Sequence, residues 1–77
     1  MNNTPCKEIF MQLVRFYVKS DWTGDDFVKV QLLRDDILTK RATSKISFDE
    51  YKVLYSMADY LVKSMRDILR KRGDLHD

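Results

Sequence analysis

Two stretches of this chain carry the same helix-start signal, and together they dictate a helical fold. Trp22-Thr23-Gly24-Asp25-Asp26-Phe27 and Ile46-Ser47-Phe48-Asp49-Glu50-Tyr51 share the order apolar, hydroxyl, any, acidic, acidic, aromatic. In each, the hydroxyl is placed to accept from backbone N–H groups of the first turn, and the acid three residues on reaches back to the N–H of the capping residue. The apolar residue before the cap is spaced to pack on the aromatic residue five positions later, as a hydrophobic staple. Two chain directions are set locally before any tertiary contact forms.

The intervals between these signals read as helices. Asn2-Asn3-Thr4 is a capping start and Pro5 suits a first turn, so a first helix is expected over about 5–19, with Cys6, Ile9, Phe10, Leu13, Phe16 and Tyr17 at helical spacing. A second is expected over about 24–39, on Phe27, Val30, Leu33 and Ile37, with Val28 and Leu32 widening the stripe. The polar run Lys40 to Lys45 reads as a connection. A third, over about 48–72, is the cleanest, because Tyr51, Leu54, Tyr55, Ala58, Leu61, Val62, Met65, Ile68 and Leu69 form an unbroken stripe. Gly73 reads as its stop and residues 74–77 as a frayed tail. No segment reads as a strand. The expected fold is one all-α domain over residues 1–77, a small bundle of three main helices with a long C-terminal helix.

That length difference has a consequence. Helices of fifteen or sixteen residues span about 23 Å and one of twenty-five about 37 Å, so an up-down-up bundle leaves over a third of the last helix without a neighbour. Its apolar stripe nonetheless continues through Leu61, Val62, Met65, Ile68 and Leu69. With no Pro or Gly in 48–72 to bend it, the stripe is expected to be covered by a second copy in a homodimer, or by a partner.

Chemistry is not expected. The only histidine, His76, sits in the tail, and the only cysteine, Cys6, is spaced as a small apolar core residue. One thiol and one imidazole assemble neither a zinc site nor a catalytic pair, and two glycines build no phosphate loop. No catalytic residue, metal or cofactor is assigned. The lone cysteine suits a reducing, cytoplasmic setting. No apolar run approaches the ~18 residues of a membrane span.

What the composition favours is binding. The chain carries 14 Lys and Arg against 12 Asp and Glu, a net charge of +2, unevenly placed. Residues 1–39 hold five basic and six acidic side chains; residues 40–77 hold nine and six. Asp21, Trp22, Asp25, Asp26, Asp35 and Asp36 are the candidate partner-binding set, an acidic and aromatic surface for a basic protein. Asp25 and Asp26 also suit the helix dipole and cap, and Trp22 the staple. The alternative face is Asp59, Lys63, Arg66 and Arg70 along the third helix. Its cations suit phosphate, but no aromatic residue interleaves with them and the neighbouring acids partly neutralise them, so nucleic acid is the less favoured partner.

Two family resemblances accompany these patterns. Leu13-Val14-Arg15-Phe16-Tyr17-Val18-Lys19-Ser20-Asp21-Trp22-Thr23-Gly24-Asp25-Asp26-Phe27 resembles the colicin D-type immunity family in its apolar first helix, short polar break and hydroxyl-small-acid-acid-Phe helix start. Ile46 to Tyr51 is similar to that family's next helix start, and order and length are compatible over most of the chain. The resemblance implies a helical inhibitor that binds a toxin and blocks its active site. Ile46 to Tyr51 followed by Leu54-Tyr55-Ser56-Met57-Ala58-Asp59 looks like the central helix of the Hha/YmoA nucleoid-associated modulators. That match, over 46–59, implies a small regulator in which Asp59 contacts a nucleoid protein. The favoured reading is the first: a non-catalytic inhibitor or immunity-type protein whose partner is another protein such as a toxin or host factor.

Overall fold

The computed structural model describes residues 4–73, which form three α-helices: α1 (Pro5–Val18), α2 (Gly24–Ala42) and α3 (Phe48–Lys71). The described residues contain no strand. Each helix starts where its cap dictates. Thr4 accepts from the Lys7 N–H at 3.1 Å to open α1. Thr23 and Asp26 close a reciprocal capping box on α2, at 3.2 and 2.9 Å. Ser47 and Glu50 close the second on α3, at 3.1 and 2.8 Å. The staple residues Trp22 and Phe27, and Ile46 and Tyr51, all pack on or in the core. Gly73 adopts φ +78°, a left-handed stop. The expected tail at 74–77, with His76, and the expected caps Asn2 and Asn3 lie outside the described residues.

The core draws on all three helices: Ile9 and Leu13 from α1, Val30 and Ile37 from α2, and Leu54, Ala58, Leu61, Val62, Met65 and Leu69 from α3, with Ile46 sealing one end. Helix α3 packs most extensively on α2, less on α1, and α1 touches α2 least.

One helix boundary departs from the sequence pattern. Helix α2 continues to Ala42 rather than fading at Thr39. Three local contacts favour the extra turn. Lys40 pairs with Asp36 at 2.9 Å, the Thr43 hydroxyl donates to the Thr39 carbonyl at 2.9 Å, and Arg41 donates to the Ile46 carbonyl at 3.1 Å. The Arg41 guanidinium also lies 5.8 Å from the centre of the Phe48 ring. A polar stretch read as a connection is thus the solvated end of a helix whose cations suit its negative pole.

The coverage problem posed by the long third helix is solved within the chain. Leu61, Val62, Met65 and Leu69 are 0% exposed in the single chain, and of the five stripe residues only Ile68 remains open, at 41%. The expectation that this stripe awaits a second copy is therefore corrected. The physical reason is the register of α2: Arg34 pairs with Asp59, and Asp21, just before α2, pairs with Arg72, so the first turns of α2 run antiparallel beside the last turns of α3. Helix α1 ends beside Tyr60, where Tyr17 stacks on it, yet five residues later Trp22 accepts from Arg72 at 2.6 Å. In the link between α1 and α2, Lys19 and Thr23 have extended backbone and the chain bends at Ser20 and Asp21.

Candidate partner-binding surface

The start of α2 turns inward rather than outward. Asp26 is 5% exposed and accepts both from the Thr23 N–H and from the Lys19 ammonium, the latter at 2.6 Å. Burial pushes the Asp26 carboxyl up, but the Lys19 and Thr23 donors outweigh it and leave the group below its ordinary value. Trp22 packs on the core and donates its indole N–H to the Phe16 carbonyl at 2.8 Å. Asp21 pairs with Arg72 at 2.9 Å. These three residues of the expected acidic site are holding the link in place.

The remaining acids are spread along α2. Asp25 and Asp36 are eleven residues apart, three helical turns or about 16 Å, on one face; Asp35 projects from another. The sequence-predicted set is therefore not one patch. Asp59 of the alternative face is likewise engaged. It bridges α3 to α2 by accepting from Arg34 at 3.2 Å, and it pairs with Lys63 at 2.9 Å. Lys63, then Arg34, hold its carboxyl below the ordinary range. Arg66 is half-buried, while Lys63 and Arg70 are exposed along the same side of α3.

Cys6 behaves as a structural thiol. Burial, and then its hydrogen bond to the Glu50 carboxylate, push its pKa up, away from a reactive thiolate. Because Glu50 is also the acid of the second capping box, this contact joins the start of α1 to the start of α3. Among the described residues no three His, Cys, Asp or Glu side chains gather as a metal site.

What the fold does create is a groove. Helices α1 and α2 make the sparsest pairing in the bundle, and on the side away from α3 they leave an open trough of about 340 Å³. Phe16 and Leu33, both packed on the core, form its floor; Leu32 and Lys29 line it from α2, Gln12 from α1, and Asp36 closes one end. Toward the other end it runs past Arg15 and Lys19 to Asp26. Leu32 is 62% exposed here and Val28, one turn before it, 52%. The signal for this surface was present in the sequence as apolar residues that widened the α2 stripe beyond a single core face. Only Asp36, with Asp26 at the far end, belongs to the acidic set read from the sequence.

No protein-family model, curated protein or solved structure matches this chain. No helix among the described residues is long and apolar enough to cross a membrane.

Proposed function

We propose that this chain is a small non-catalytic domain that binds another protein, as an inhibitor of the immunity type, and that an apolar segment of the partner seats in the groove between α1 and α2. The observation that carries this reading is the groove itself: an apolar floor of Phe16 and Leu33 with ionic side chains, Arg15, Lys29 and Asp36, on its lips. A trough between two helices suits an amphipathic helix laid along it. Mixed charges at the rim set register and speed encounter, while the apolar floor supplies affinity. A toxin is the class of partner that the immunity-family resemblance implies, and a host factor is the other partner this reading admits. A reducing, cytoplasmic setting belongs to the same proposal and rests on the single thiol.

Calorimetric titration against the protein encoded beside this chain's own gene is the test. Leu32→Glu and Asp36→Lys are each expected to weaken binding about tenfold or more. Both positions lie at the surface, so circular dichroism should stay that of the wild type. Lys63→Glu with Arg66→Glu is expected to leave binding unchanged. The opposite ranking would move the site to α3 and support the Hha-like regulator instead.

A further inference from the structure

The turn that joins α2 to α3 gathers cations around an exposed aromatic ring. From Ile37 to Phe48 the chain carries Lys40, Arg41 and Lys45 and no acid. Backbone hydrogen bonds fix the turn: the Ser44 N–H donates to the Arg41 carbonyl at 3.1 Å, and the Lys45 N–H to the Lys40 carbonyl at 2.8 Å. Ser44 takes the left-handed conformation, φ +58°, as the chain reverses. Phe48 follows as the first residue of α3 and is 56% exposed. The Arg41 guanidinium lies 5.8 Å and the Lys52 ammonium 5.0 Å from the centre of its ring. The ring stacks on Tyr51 at 6.2 Å, and Tyr51 meets Tyr55 at 5.5 Å, so it is the outer member of an aromatic ladder rooted on the core. The nearby acids already have partners. Asp36 pairs with Lys40 at 2.9 Å, Asp49, 92% exposed, with Lys52 at 3.6 Å, and Glu50 closes the Ser47 cap.

We propose that this end of the bundle binds single-stranded nucleic acid without sequence preference, one base stacking on Phe48 and the flanking phosphates meeting Arg41, Lys45 and Lys52. Sites for single strands combine two parts, a ring on which a base stacks and cations that track the backbone. Here one ordered turn supplies both. The combination is what selects the ligand, because cations alone suit any polyanion and an exposed ring alone suits any apolar contact. The cations beside Phe48 do not close it to a base, since an exposed cation–π contact is weaker than the stacking of a base on a ring. A base that takes the ring releases Arg41 and Lys52 toward its own phosphates. A duplex is the poorer ligand, because its bases stack on one another and leave the ring without a partner. The basic row along α3 makes the contrast: residues 63–70 hold Lys63, Arg66 and Arg70 but no aromatic residue. The surface is also distinct from the groove between α1 and α2, with which it shares only the Asp36 to Lys40 pair.

Fluorescence anisotropy of a labelled oligothymidylate of ~12 nucleotides, titrated with the full chain, tests this. A dissociation constant of about 1–100 μM is expected, with a log–log salt slope of about −2 for three phosphate contacts. Phe48→Ala should weaken binding about fivefold or more and leave the slope unchanged, and Phe48→Tyr should restore it. If Phe48→Ala loses helix by circular dichroism, Phe48→Leu carries the same expectation, because it keeps an apolar contact and offers no ring. Lys45→Gln should make the slope shallower by about 0.7. Leu32→Glu, in the groove, should bind the oligonucleotide as the wild type does, which separates this site from the one proposed above. No binding at ~200 μM chain in low salt overturns the proposal. So does affinity indifferent to the loss of the Phe48 ring, or an equal affinity for a duplex of the same length. Polyglutamate that displaces the oligonucleotide at equal charge concentration also overturns it, and assigns the cations to an acidic protein segment.

Discussion

Arg72 and Asp21, fifty-one residues apart in sequence, meet at 2.9 Å, and the same guanidinium donates to the Trp22 carbonyl at 2.6 Å. The end of the longest helix is thereby tied to the link between α1 and α2. The ion pair is open to water, with the Asp21 side chain 80% exposed, so its electrostatic value is small. The indole of Trp22 does more, because it fills space against the core while its N–H is satisfied by Phe16.

Trp22→Ala is therefore expected to cost ~2–3 kcal/mol, and Asp21→Ala less than about 1 kcal/mol. Urea denaturation of both variants checks the ranking. Equal losses would mean that the ion pair, not the ring, anchors the link.

Thr23→Ala and Ser47→Ala should each remove about 1 kcal/mol of stability by opening a capping box. The two boxes share no hydrogen-bond partner, so the double variant should lose about the sum. Against roughly 5 kcal/mol for so small a domain, the double loss is large enough to read directly from melts. A double variant within ~0.2 kcal/mol of wild type would remove the capping account.

Asp26 makes stability depend on pH in a defined direction. Its folded pKa lies below the unfolded value, so the folded chain binds fewer protons there than the unfolded chain does. The stabilisation is complete above about pH 4 and is lost as pH falls through the folded pKa. Asp26→Asn should destabilise the chain by about 1–2 kcal/mol at neutral pH, and by progressively less as the buffer is taken toward pH 3. A penalty that does not shrink with acid would mean that the carboxylate charge contributes nothing.

Met65→Glu with Leu69→Glu is expected to unfold the chain. Both side chains are 0% exposed within the monomer, and a charge at either leaves an unpaired ion in the core. Far-ultraviolet circular dichroism should show loss of helix at all concentrations. Retained helix with a dimer converted to monomer would restore the idea that this stripe is a contact between copies.

Most of the fold was legible because its signals are local. Thr23, Asp26, Ser47 and Glu50 act within one helical turn, and the stripe of α3 is a periodicity that any packed helix must obey. The end of α2 was not legible, since Lys40, Arg41 and Ala42 have no apolar pattern. Their helix is favoured by Arg41 reaching Ile46 and Phe48 across the turn. The internal partners of the acidic residues were not legible for a related reason. Asp21 and Asp59 look like ordinary surface acids in sequence, and only the folded chain sets Arg72 and Arg34 opposite them, as it adds Lys19 to the cap already legible at Asp26.

Sequence alone determined the three helices, their starting residues and the faces they bury, because caps, staples and periodicity operate over distances of a few residues. Tertiary structure decided which apolar residues were left over. Leu61, Met65 and Leu69 are sealed inside because α2 runs antiparallel along α3, its first turns beside the last turns of α3. Leu32, Val18 and Tyr60, equally apolar, stay in water because α1 spreads from α2 on one side and ends early beside α3 on the other. Burial depends on where neighbouring elements stop and how they splay, and those are properties of the packed chain rather than of any residue's spacing.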